Sequence, residues 1–282
     1  MFKKKIINKN YKLTKKVGLF TNARDELHIK EWAAHHLLIG FDNIIIFDHK
    51  SEKPLSKVFE KFDKRVKIID VSHMNDSIKI PLMNFSINLS KILQLDWMIY
   101  LDADEYIILS SKIMGIKHFL NHYNHAHSIG INWLLFGTNF LKNEPSGLQI
   151  ESYTKSQLGI HKHVKSFVRP NEILYSDNPH YYKVQNKNKM IGIDNKVLSE
   201  PCFNELNLPF TRMPIYIAHY IYQSEETFIR RKCKLKRDDT GVYREFNNDT
   251  INNLHNEYND VNNLFPCEKY STKIKIFLSQ YN

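Results

Sequence analysis

Two carboxylates, Asp102 and Asp104, stand one residue apart at the end of an uncharged run, Met98-Ile99-Tyr100-Leu101. The run is short, apolar and contains an aromatic, so it reads as a buried strand. A buried strand that ends in acids delivers them to the rim of a sheet, where water and ligands reach. In extended geometry residues two apart share a face, which sets Asp102 and Asp104 side by side and turns Ala103 away. Two hard oxygen donors on one face suit a divalent ion such as Mg2+ or Mn2+, and such an ion commonly takes a diphosphate as a further ligand. An acidic turn that merely closes a strand would carry the same residues, so the surrounding elements must decide.

Those elements alternate. Val17 to Thr21 reads as a strand ending at the polar patch Asn22-Ala23-Arg24-Asp25-Glu26. Leu27 to Leu38 carries a broad apolar face at helical spacing, with Gly40 as its exit. Asn43 to Phe47 is a second buried strand, ending at Asp48-His49-Lys50. Helical patterns over 54–62 and 81–95 flank a third strand, Val66 to Val71, and lead into the strand that carries the acids. Short crossovers of this kind require parallel pairing. The fold class predicted is therefore α/β, with a largely parallel sheet flanked by helices. In open sheets of this type ligands bind beyond the carboxyl ends of the strands. Arg24, Asp48, Asp102 and Asp104 all fall at those ends.

Beyond the acids the pattern predicts a helix over 113–123, strands over 128–136, 148–153 and 163–168, loop over 173–188 and an extended loop over 183–213. Ile215 to Tyr220 is a short apolar segment. A helix then starts at Ser224, a natural N-cap, and runs to about residue 236 with a dense basic face. The last helices are expected around 250–265 and 274–278. The organisation expected is a basic arm (1–16, with seven lysines), a main domain (17–240) and a small C-terminal helical extension (241–282).

The chain has 282 residues, 42% apolar and 25% charged, enough for a substantial core. Its formal net charge of +10 favours anionic partners. The basic residues form no aromatic-interleaved stripe, so a nucleic acid is not the expected partner. A basic helix at 230–237 could be a solvated face or make peripheral membrane contact. Cys202, Cys233 and Cys267 lie far apart with no C-x-x-C pair, which argues against a zinc knuckle or a disulfide framework. No signal-peptide core or membrane-length run is seen, and a cytoplasmic location is the expectation.

Several spaced motifs resemble one family. Arg24-Asp25-Glu26, Glu31-Trp32, His35-His36, Gly40-Phe41-Asp42 and Phe47-Asp48 look like the opening of glycosyltransferase family 92 and related small glycosyltransferases. Asp96-Trp97 followed by Leu101-Asp102-Ala103-Asp104-Glu105-Tyr106 resembles that family's Asp-Trp and Asp-x-Asp-Glu-Phe. Trp133, Phe136-Gly137, His163-Val164-Lys165-Ser166, Val168-Arg169-Pro170, Pro179-His180-Tyr181 and His219-Tyr220 with Ser224-Glu225-Glu226 follow in the family's order. The similarity covers roughly residues 17–240. Asp25 stands where the family usually has Asn, and Tyr106 replaces Phe.

The resemblance implies a GT-A, Rossmann-like fold, a nucleotide-sugar donor (a UDP-sugar first of all), a glycan or other hydroxyl acceptor, transfer with inversion, and Mn2+ or Mg2+ as cofactor. It makes Asp104 the direct metal ligand and Asp102 a ligand or a contact to ribose or metal-bound water. His219 is the expected third ligand and His180 its alternative. Arg24 and Asp48 fall where base and ribose bind in that fold, and Lys165 and the helix at Arg230–Lys236 could neutralise phosphate. Inversion needs a carboxylate on the acceptor side; Glu151 and Asp177 are the candidates, with Glu225 behind them. Trp133, Phe136 and Gly137 could form an apolar wall and tight turn for a sugar. The readings from other classes are a basic nucleic-acid-binding protein and a non-catalytic scaffold.

Overall fold

A computed structural model describes residues 13–246 and 248–281. Its centre is a nine-stranded mixed sheet. The strands are β1 (Val17–Ala23), β2 (Asn43–Asp48), β3 (Val66–Asp70), β4 (Trp97–Tyr100), β5 (Glu105–Leu109), β6 (Ser128–Leu135), β7 (Val164–Val168), β8 (Met190–Gly192) and β9 (Ile215–His219). Their spatial order is β3-β2-β1-β4-β7-β6-β9-β5, with β8 beside β6. The half made of β3, β2, β1 and β4 is wholly parallel, as the strand–helix alternation requires. β7 runs antiparallel to both β4 and β6, and β5 antiparallel to β9. The α/β, Rossmann-like expectation therefore holds, with antiparallel strands added on one side.

Period-2 burial splits the core in two. Trp97 and Ile99 of β4 face one cluster, shared with Trp32, Ala33 and Leu37 of the helix Ile29–Leu38. Met98 and Tyr100 face the other, shared with Leu82, Met83 and Ile87 of the helix Lys79–Ile92. All four β4 residues are buried, so a Trp97→Ala cavity alone would cost about 3–5 kcal/mol. The helix Ile29–Leu38 is also fastened by hydrogen bonds. Trp32 Nε1 donates to the Glu105 carbonyl and His35 Nε2 meets the Ile107 carbonyl, both at 2.8 Å. The chain leaves this helix through Gly40 at φ +108°, a conformation that a side chain would strain.

Later segments depart from the sequence pattern. Residues 148–153, expected extended, contain the helical turn Gln149–Ser152, because the buried Glu31 carboxylate accepts from the Gln149 and Ile150 N–H groups. Residues expected as loop form an antiparallel hairpin, Ile173–Asn178 with Tyr181–Val184. Within the expected loop 183–213, β8 adds to the sheet. The C-terminal helix is longer than predicted, Phe265–Ser279, and its Tyr270 and Ile274 are buried in the main core. Of the basic arm, residues 1–12 lie outside the described residues. Residues 14–16 are held to the body by Asn121 and Asp96. Among the described residues no helix is long and apolar enough to cross a membrane.

Candidate active site

Between β4 and β5 the chain reverses in a tight turn, closed by the Glu105 N–H donating to the Asp102 carbonyl at 3.1 Å. Asp102, Ala103 and Asp104 are therefore a turn, not the continuing strand expected. All three line one cleft of about 830 Å³, counted with its open mouth, so Ala103 is not turned away from it. The cleft lies at the carboxyl ends of the parallel strands, where Asn22, Arg24 and His49 also line it.

Each acid is met by fixed cations. Asp102 Oδ1 lies 2.7 Å from Lys79 Nζ and 3.4 Å from Lys165 Nζ. Burial would raise its pKa, but Lys165 and Lys79 outweigh that and hold the carboxyl well below the usual range. Asp104 Oδ2 lies 3.0 Å from Arg231 Nη1 and 3.9 Å from Lys232 Nζ. Against burial, Arg231 above all holds its carboxyl at about 2. Arg231 also donates from Nε and Nη2 to Glu26 Oε1, at 3.1 and 2.8 Å. Lys79 in turn reaches Asp238 at 3.1 Å, and Asn22 Nδ2 donates to the same carboxylate.

His219 arrives through register. β9 pairs antiparallel with β5, so His219 stands opposite Glu105. The Tyr220 N–H donates to the Asp104 carbonyl at 3.0 Å. His219 Nε2 then lies 3.6 Å from Asp104 Oδ1. Burial pushes its imidazole down to about 4 against the pull of Asp104 and Asp102, leaving the neutral ring that ligates metals. Burial likewise pushes the fully buried Glu105 up to about 8, despite Lys165 at 3.8 Å. Its Oε2 accepts from the Asp102 N–H at 2.8 Å, which fixes the turn.

The donors can be tested against a divalent ion. Asp104 Oδ1 and the neutral His219 Nε2 converge as an oxygen and a nitrogen donor. Among the described residues no three His, Cys, Asp or Glu side chains form a closed set. Mg2+-type ions need no such set, since they take one or two protein ligands and fill the rest with phosphate oxygens and water. Asp104 and His219 fit that partial shell. Asp102, with its Oδ1 bound to Lys79, stands as a neighbour of the pair.

The structure thus brings Arg24, Asp102 and Asp104 into the cleft, with His219 behind Asp104 and Lys165 behind Asp102. Other expected site residues are elsewhere. Asp48 caps the turn Leu55–Val58, accepting from the Leu55 N–H at 2.7 Å, and does not line the cleft. Glu151 binds Lys275 and Ser271 on the C-terminal helix. Asp177 pairs with Lys183 across the exposed hairpin. Glu225 lies 3.5 Å from His255. Neither candidate base lines the cleft, nor does Glu225 behind them. His180 Nδ1 is bonded to the Val164 carbonyl. Ser224 caps the basic helix as expected; it then passes into a π turn, Ile229–Cys233, that carries Arg231 and Lys232 into the cleft, while Lys234 and Lys236 are exposed. Lys79, Asp238 and Arg244 are further lining residues that no motif marked, and Glu26 of the Arg24-Asp25-Glu26 motif lines the cleft with them. The polar stretch after β1 was the signal for Glu26; the others had none.

A crystal structure of S. aureus TarS 1-349 in complex with UDP is similar at 12% identity and a TM-score of 0.36, over 55% of this chain and 47% of that one. Another S. aureus TarS structure matches at 13% identity and 0.38, over 74% of this chain and 37% of that one. At these scores neither carries weight for fold or ligand. A glycosyltransferase family 92 protein of Ricinus communis is 24% identical over 208 residues, 71% of this chain and 34% of the relative, so the chain spans about a third of that relative's length. The family model for glycosyltransferase family 92 matches residues 18–262, and the chain belongs to that family.

Proposed function

We propose that this chain transfers a sugar from a nucleoside diphosphate sugar to a hydroxyl of a glycan or other acceptor. The observation that carries this is the charge of the cleft: seven Lys and Arg against five Asp and Glu, around the Asp102–Asp104 turn. In glycosyl transfer the group that departs is a diphosphate. Cations held in place before the reaction stabilise that charge without reorganising. Lys79, Lys232 and Arg244 are the proposed phosphate contacts, and Asn22 and Arg24 the nucleoside contacts at the end of β1. Asp104 and His219 are the proposed holders of Mn2+ or Mg2+, which would spread the diphosphate charge. A UDP-sugar is the first donor class to test. Inversion is the proposed course, and the anomeric configuration of the product decides it.

The test is a panel of nucleotide sugars screened for metal-dependent turnover, with UDP and Mn2+ followed by thermal stabilisation. Asp104→Asn, with its fold checked by circular dichroism, is expected to lower turnover by on the order of 100-fold. Normal turnover in that variant would show the assignment to be wrong. A nucleic-acid partner would instead give oligonucleotide affinity that falls steeply with salt. The concave placement of the charge argues against it.

A further inference from the structure

Lys79 carries one charge and is held by two carboxylates. Its Nζ lies 2.7 Å from Asp102 Oδ1 and 3.1 Å from Asp238 Oδ2. The same Asp238 oxygen accepts from Asn22 Nδ2 at 2.8 Å. All four residues line the cleft. Both donors are fixed from behind. Asp102 holds Lys79, and the Tyr100 hydroxyl donates to Asn22 Oδ1 at 2.9 Å, which aims the amide nitrogen at Asp238. An ammonium and an amide thus converge on one anionic oxygen, an arrangement that a phosphate oxygen also satisfies. Here a carboxylate of the chain itself sits in it.

We propose that Asp238 is an internal competitor of the donor: its carboxylate caps Lys79 and Asn22 in the free protein, and a nucleoside diphosphate binds by displacing it. The proposal rests on the transferase reading, which gives Lys79 to the phosphate and Asn22 to the nucleoside, and adds how that site is regulated. Charge requires the displacement. With both acids in place one positive charge faces two negative ones, and a phosphate arriving at Lys79 is repelled. Asp102 is not the acid that yields, since Lys165 also holds it at 3.4 Å and Glu105 fixes its backbone N–H. Asp238 has only Lys79 and a neutral amide, and its side chain is 35% exposed, so it can turn to water. The main chain need not follow. The Lys79 N–H donates to the Asp238 carbonyl and Ser77 Oγ to the Asp239 carbonyl, both at 2.9 Å. The moving part is one side chain.

The sign of one measurement tests this. UDP is titrated calorimetrically, with Mn2+ present, into the full chain and into Asp238→Asn, which keeps the shape and removes the charge. The variant is expected to bind UDP about three- to fivefold more tightly, the worth of one partly exposed ion pair. Asp238→Ala, which empties the seat, should also bind more tightly and stands in if Asp238→Asn fails to fold. In a Lys79→Met background the gain should vanish, because the competitor then has no ammonium to cap. Equal or weaker UDP binding in Asp238→Asn overturns the proposal, and weaker binding would make Asp238 a contact of the donor. The same gain in the Lys79→Met background also overturns it, by tracing the effect to overall charge. If neither the wild type nor any variant binds UDP, the transferase reading falls and the proposal with it, so the two failures are told apart.

Discussion

Arg231 Nη1 stands 3.0 Å from Asp104 Oδ2, while its Nε and Nη2 hold Glu26. One guanidinium therefore bridges two acids, the buried Asp104 and the partly buried Glu26, that would otherwise repel each other. Glu26 already has its pKa raised by burial, even with Arg231 beside it.

Arg231→Met removes the cation and leaves both acids. Breaking a buried pair by deleting one partner costs about 3–5 kcal/mol. The melting temperature at pH 7 should fall, and fall less as the pH is lowered, since burial already raises the Glu26 pKa and a proton there relieves the repulsion. Adding Glu26→Gln should recover part of the stability. UDP affinity, read by titration, should drop at least about tenfold and not return in the double variant. A variant that melts and binds like the wild type would remove Arg231 from the site.

The local half of the molecule was legible in the sequence. β1 to β4 and their crossovers follow from periodicity within a few residues, and they fix where Asp102 and Asp104 end up. His219 was legible as the end of an apolar run. Its contact with Asp104 depends on the β5–β9 register, which no local pattern states. Arg231 was legible only as one residue of a basic helix, either a solvated face or a phosphate-neutralising one; its hold on Glu26 was not, because that partner lies 205 positions away and a π turn, not helical spacing, aims the side chain. Glu151 and Asp177 have only their place in the chain after the acids to mark them. Position after a motif carries no information about which side of the sheet a residue will occupy.

Lys79 bridges Asp102 and Asp238 from the start of the helix Lys79–Ile92. Lys79→Met should cost less than Arg231→Met, about 1–3 kcal/mol. The reason is that Asp102 keeps Lys165, and Asp238 keeps the Asn22 amide. Its effect on UDP affinity should be comparable, since Lys79 lines the same cleft. Denaturant unfolding and UDP titration of both variants together make the comparison.

Glu151→Gln and Asp177→Asn bear on the choice of base. Both acids are bound to local partners outside the cleft, and Asp177 is about half exposed. Turnover should match the wild type, and Asp177→Asn should change stability by no more than about 0.5 kcal/mol. A large loss of turnover in either would place that carboxylate at the acceptor after all.

His28 gives a stability signal with a defined pH window. Its Nε2 lies 2.8 Å from Glu144 and its Nδ1 3.4 Å from Glu31. Burial would lower its pKa, but the bonds to Glu144 and Glu31 prevail and raise it to about 9. Glu144 also accepts from Ser224 Oγ at 3.0 Å and from Thr227 Oγ1, so the cluster anchors the start of the helix that leads to Arg231. Against burial, His28 first among its partners lowers the Glu144 pKa to about 2. The folded pKa of His28 lies above its ordinary 6.5, so its contribution is complete below that value and is lost as pH rises through 9. Glu144, depressed from 4.5, contributes fully above that value and loses its share as pH falls toward 2. The pair is therefore strongest between about pH 5 and 6.5, where the His28 shift amounts to roughly 3 kcal/mol. His28→Gln should be most destabilised in that interval and approach the wild type above about pH 9. Urea unfolding across this range reads the difference directly. A difference that stays constant with pH would mean that packing, and not the charged pair, is what His28 supplies.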